Sequence, residues 1–163
     1  MLALLLLACS TGQVAPTSGP PEAFVSDDHG DGAAVFLRGR ADGDRLLVDV
    51  IARGASDVHG AAIRLKFDPA VLGFSSTEPG GVWSNRALNV SKEGTPGQLA
   101  IAWTEKGEVG IDATSESILG TVAFDVKSTT STVVSFKTER CGLIDRHGTP
   151  ATVAWRGGTV PAH

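Results

Sequence analysis

HGAAIRLKFDPAVLGF, residues 59–74, alternates side chains of opposite character. Ala61, Ile63, Leu65 and Phe67 fall on one face and Ala62, Arg64 and Lys66 on the other, the period of two that marks a half-buried strand. Pro69 ends the run, because proline has no N–H to give a ladder and biases Asp68 away from helical backbone. Asp68 suits an N-cap and Pro69 a first helical position, which predicts one short turn over residues 69–72. Val71 and Leu72 then fold back over the apolar face. The unit is a strand, a capped turn and a return to the sheet.

From residue 33 onward the chain keeps this rhythm, with turn signals about every ten residues, as a β-sandwich does. Strands are predicted at 33–38, 45–53, 82–90, 98–104, 117–126, 132–141 and 151–160, besides the central one. Asp42-Gly43 supplies a hairpin turn whose two central positions take positive φ. Leu46, Val48 and Val50 face inward on one strand. On another, Leu99, Ile101 and Trp103 oppose Ala100, Ala102 and Thr104. The segment around Pro79-Gly80-Gly81 reads as a loop, residues 105–117 have no clear assignment, and no stretch has helical spacing. A chain of 163 residues that is 42% hydrophobic builds one core and hardly two, and 20 glycines and 8 prolines suit short strands. The net charge of −4 is interspersed, with no basic run, which argues against nucleic acid as a partner.

Three segments in this order resemble the cohesin domain, the jelly-roll module that binds dockerins in cellulosomes. They are LLVDVIARGASDVHGAAIRLKFDPAVLGF at 46–74, SILGTVAFDVKS at 117–128 and CGLIDRHGTPATVAWRGGTV at 141–160. The resemblance covers nearly all of residues 33–163. It implies an all-β jelly-roll sandwich of about nine strands in two sheets, related to bacterial cellulose-binding modules. Cohesins that grip dockerins carry polar residues on the outward side of the strand before the "DP" turn. Here those places fall near Gly60 and Ala62, which offer no side-chain hydrogen bond. The resemblance therefore carries the fold further than it carries the grip.

Ahead of the module, residues 2–8 are uninterrupted apolar sequence, too short to span a bilayer and similar to the hydrophobic part of a signal peptide. Leu6-Leu7-Ala8-Cys9 resembles the lipobox of bacterial lipoproteins, which implies a signal peptide over 1–9 and lipid attachment at Cys9. No Lys or Arg precedes the run, as a start codon set too far downstream or a truncation would leave it. The alternative is an ordinary secretory leader with a chance cysteine. Residues 10–32, with Pro16, Pro20 and Pro21 amid Ser, Thr and Gly, read as a disordered tether. Asp27, His29 and Asp31 have a calcium-loop spacing, but Arg38 stands where the bidentate carboxylate belongs, so no metal is assigned. Ser10, rather than Asp, follows Cys9, which favours the outer membrane or cell surface over the inner membrane. Cys141 is then a lone thiol on a core strand.

Catalysis finds no support: His29, His59, His147 and His163 pair with no nucleophile or second ligand at a recognisable spacing. No cofactor is expected. Trp103 and Trp155 share faces with apolar neighbours and read as core, whereas Trp83 lies among polar turn residues and is the candidate for exposed stacking on carbohydrate. The outward residues Ala62, Arg64, Lys66, Ala102 and Thr104 form the candidate partner-binding patch, small side chains rimmed by positive charge, which suits a protein better than a small molecule. A merely solvated sheet face is the competing reading. The expectation is a non-catalytic, lipid-anchored cell-envelope protein that binds a dockerin-like partner, any calcium sitting in that partner. A polysaccharide-binding module and a purely structural envelope domain are the alternatives.

Overall fold

In the computed structural model, which describes residues 23–162, the central segment behaves as its alternation requires. Strand β5 (Gly60–Lys66) buries Ala61, Ile63 and Leu65 and turns Ala62, Arg64 and Lys66 outward. The Asp68 carboxylate then accepts from the Ala70 N–H at 2.8 Å, while its carbonyl accepts from Val71 and Leu72. One capped turn forms and reverses the chain, as the "DP" pattern predicts.

Fourteen strands occur among the described residues, with a single 3₁₀ turn at Thr138–Arg140. The remaining strands are β1 (Val25–Ser26), β2 (Ala34–Asp42), β3 (Arg45–Arg53), β4 (Ala55–Val58), β6 (Leu72–Pro79), β7 (Leu88–Glu93) and β8 (Gln98–Thr104). After them come β9 (Ile111–Ala113), β10 (Ser117–Val126), β11 (Thr132–Phe136), β12 (Gly142–Ile144), β13 (Ala154–Arg156) and β14 (Gly158–Val160). One sheet runs β1-β14-β11-β5-β8-β7, with β12 also paired to β5. The second runs β13-β2-β3-β10-β6, and β4 pairs with β9 separately. Between the two sheets, Leu46, Val48 and Val50 from β3 meet Ile63 and Leu65 from β5 and Leu99, Ile101 and Trp103 from β8 in one core. Phe67 meets Phe124 edge-on across it, at 4.9 Å between ring centres.

The differences from expectation have local causes. The β2–β3 turn centres on Gly43-Asp44, not Asp42-Gly43, and only Gly43 takes positive φ, at 60°. A primed turn with glycine first needs only that one. The strand expected at 132–141 is broken: β11 pairs with the end of β5 near Lys66, the 3₁₀ turn intervenes, and β12 resumes pairing near Ala62. The strand expected at 151–160 is two, because β13 joins the second sheet parallel to β2 while β14 joins the first. The expected return to the sheet at Leu72–Phe74 runs on as β6 through residues 75–79, expected as loop, and β6 is the partner of β10.

The disordered tether expected over 10–32 is corrected at its C-terminal end. Phe24 is 3% exposed, seated so tightly between the sheets that a Cβ on Gly39 or Gly158 would lie 2.4 or 2.3 Å from its side chain. Strand β1 pairs with β14, and the Asp27 N–H donates to the Gly157 carbonyl at 3.0 Å. Asp28 then receives both Arg53 Nη atoms at 3.0 Å, and Asp31 pairs with Arg156 at 3.1 Å. Those hydrogen bonds hold the Asp28 carboxyl below its ordinary range. The residues read as tether were polar by composition, but arginines from the second sheet give their carboxylates fixed partners. The N-terminal segment is thus a strap laid from one sheet to the other. The signal peptide and Cys9 lie outside the described residues.

Candidate functional site

Register places the five patch residues together on the outer face of the first sheet. Ala62 on β5 stands directly opposite Ala102 on β8, Arg64 opposite Ala100, Lys66 opposite Gln98, and Thr104 opposite Gly60. Strand β7 extends each row: Val90 lies opposite Ala102, Leu88 opposite Thr104 and Lys92 opposite Ala100. On the far side β12 adds Gly142 beside Ala62 and Ile144 beside Gly60. Leu88, Val90 and Ile144 are 49%, 61% and 41% exposed. No element among the described residues covers them.

Leu88, Val90, Lys92 and Ile144 are the residues the sequence reading missed. The signal was there in LNVSK, whose Leu88 and Val90 alternate with polar neighbours, but the predicted strand ended at Val90 and had no assigned partner. The face grades from apolar at the Leu88–Ile144 end to basic at the Arg64–Lys92 end. Under it, Cys141 props β5: its Sγ accepts from the Arg64 N–H at 3.2 Å and its thiol donates to the Arg64 carbonyl at 3.6 Å. Burial raises the Cys141 pKa, so the proton that makes this contact is retained. The cysteine is half-buried beside β12 rather than within a strand.

Trp83 is not exposed. It is 7% exposed, belongs to the core, and donates from Nε1 to the Leu119 carbonyl at 2.6 Å. The polar residues around it form the turn while the indole turns inward, so it offers no platform to a sugar ring. Next to it, Glu105 fastens two loops: its carboxylate accepts from Ser84 N (2.8 Å), Ser84 Oγ (2.6 Å), Lys106 N (2.8 Å) and Gly107 N (3.1 Å). These bonds lower its pKa to about 2. Trp103 is fully buried, as expected, and Trp155 is half-buried with its ring edge-on to Phe136 at 5.1 Å.

The three described histidines are apart: His29 is exposed on the strap, His59 is buried beside Asp57, and His147 is exposed in a turn. The Asp28 and Asp31 carboxylates are held by arginines, and no group of three metal-ligating side chains occurs among the described residues.

Comparison with known proteins agrees with the fold. The cohesin-domain family profile matches residues 38–149. No curated protein sequence matches the chain. The sixth cohesin of scaffoldin B from Acetivibrio cellulolyticus, solved in complex with a Cel5 dockerin mutant, superposes with a TM-score of 0.68 at 16% identity, covering 82% of this chain and 100% of that one. A cohesin module from a Clostridium perfringens family 33 glycoside hydrolase gives 0.65 at 15% identity over 79% and 95% of the two chains. A non-cellulosomal cohesin from the archaeon Archaeoglobus fulgidus gives 0.60 at 20% over 77% and 89%.

Proposed function

The chain belongs to the cohesin family, and from that premise we propose that the outer face of its β5–β8–β7 sheet docks a dockerin-like protein. One observation carries the reading: Ala62, Ala102, Val90 and Leu88 form a continuous, uncovered, small-to-apolar surface beside a rim of cations. A flat sheet face of this kind buries well under a partner helix, with charge at its margin to set orientation. The Gly60 and Ala62 positions give no side-chain hydrogen bonds, so shape and apolar contact contribute the affinity there. In the same reading, Cys9 carries the acyl chains that hold the module at the cell envelope, outer membrane or cell surface, and the residues between Cys9 and Ala23 span the gap.

The test is a titration of the full chain with purified dockerin modules encoded in the same genome. Wild-type protein binds at least one of them. Ala62→Arg pushes a charged side chain into the middle of the face and weakens that binding by at least about 2 kcal/mol, some thirtyfold in Kd. Its stability stays within about 0.5 kcal/mol, because Ala62 is exposed. Failure of every dockerin to bind, or an Ala62→Arg protein that binds as tightly, sinks the proposal.

A further inference from the structure

At the basic end of the face, Arg64 and Lys92 flank Ala100 in a single row. Neighbouring strands lie about 4.8 Å apart, so these two cations rise from backbones about 10 Å apart with only a methyl between them. Lys137 stands on the other side of Arg64, its N–H bound to the Arg64 carbonyl at 2.8 Å. The three line an open hollow of about 240 Å³ together with Ala100, Thr95 and Gln98. On the opposite sheet, Arg38, Arg40, Arg45, Arg53 and Arg156 are each paired with a carboxylate. Arg64, Lys66, Lys92 and Lys137 are paired with none among the described residues. Arg86, Lys106, Lys127 and Arg140 also lack a carboxylate partner among the described residues, but Arg64, Lys92 and Lys137 line one recess together, uncompensated, in a chain of net charge −4. Like charges held this way repel one another in the free protein, and a bound anion relieves them.

We propose that this hollow receives the carboxylates of an acidic segment of the docked partner, so that the partner is apolar where it meets Ala62, Ala102 and Val90 and acidic where it meets Arg64, Lys92 and Lys137. The assignment rests on the docking reading above and adds the sign of the partner's charge and the end of the face that it occupies. A protein segment fits better than a polyanionic glycan, because the cations stand at one end of an apolar row that a glycan would leave uncovered. Cations on either side of Ala100 in an open hollow admit a side-chain carboxylate from above. A partner with Lys or Arg at that end would be repelled, which fixes direction along the strands.

The experiment uses uniformly ¹⁵N-labelled full chain and two amphipathic helical peptides that share one Leu/Ala stripe. They differ only in carrying Glu or Lys over the last turn. The Glu peptide is expected to shift the amides of Arg64, Lys92 and Ala100 together with those of Ala62 and Ala102, and to bind about tenfold more tightly than the Lys peptide. That preference shrinks in about 0.5 M NaCl, where the screening length falls to about 4 Å, and it inverts in a Lys92→Glu, Lys137→Glu double variant. Equal affinity for the two peptides at this face would leave docking intact and overturn the acidic assignment. Should neither peptide shift any amide of the face, the acidic assignment falls and the dockerin titration decides docking by itself. An oligogalacturonate that shifts only the cationic residues, as tightly as the Glu peptide binds, would make the hollow a glycan site and also overturn it.

Discussion

Glu105 shows how much one side chain can hold when its acceptors are all used. Its carboxylate takes four hydrogen bonds from two loops, and its pKa falls from an ordinary 4.5 to about 2. Between those values the unfolded chain takes up the proton first, so the stabilisation is whole above about pH 4.5 and is lost as pH falls towards about 2. Glu105→Gln replaces one acceptor oxygen with an NH₂ that faces donors. Thermal melts should show it less stable than wild type at pH 7, with the gap narrowing below about pH 4.5 and nearly closed at about pH 2. A gap independent of pH would mean that the charge of Glu105 contributes nothing. The same neighbourhood shows where local sequence misleads. Trp83 stands among Gly80, Gly81, Ser84 and Arg86, which reads as exposed turn. Its partner, the Leu119 carbonyl, lies 36 residues away, and no local pattern reports it.

At the scale of the element, β5 has the faces that its alternation predicted, because it buries one side against the core, and β10 has the predicted bounds, although consecutive residues along it are buried. The far half of strand β6 was illegible for the opposite reason. Beyond Phe74 it reads SSTEP, with little apolar pattern, and the β10 ladder rather than burial holds it. The final crossing between sheets was equally hidden, since AWRGGTV gives no sign that Gly157 lies against the Val134 carbonyl, where a Cβ would approach to 2.5 Å. The strap is the most consequential miss. Ala23-Phe24-Val25 is too short an apolar run to show a period, yet Phe24 fills the space left by two glycines. Phe24→Ala should cost about 3–5 kcal/mol in urea unfolding of the full chain, the range for truncating a buried aromatic. A loss below about 1 kcal/mol would mean the strap is not part of the cooperative unit.

For the whole molecule, the patch residues were legible as a set because strand alternation alone places Ala62, Arg64 and Lys66 on one side and Ala102 and Thr104 on one side of the next strand. That the two sides coincide, and that β7 completes them, is a matter of sheet order, which pairing decides and composition does not. Placement in the cell follows from the proposed lipid at Cys9. Cys9→Ser should move the protein from the membrane fraction to the soluble fraction and abolish incorporation of radiolabelled palmitate. Membrane retention unchanged by the substitution would remove the lipid from the proposal. Whatever holds the N-terminus, a pull arriving there reaches the strap before it reaches the sandwich. Two residues of ladder, one aromatic plug and one bidentate ion pair resist first. Once they yield, residues 23–32 become a free length of at most about 35 Å when fully extended, ahead of β2 and the sheets behind it. A sudden load at this end is thus met by the strap before it is met by the sandwich.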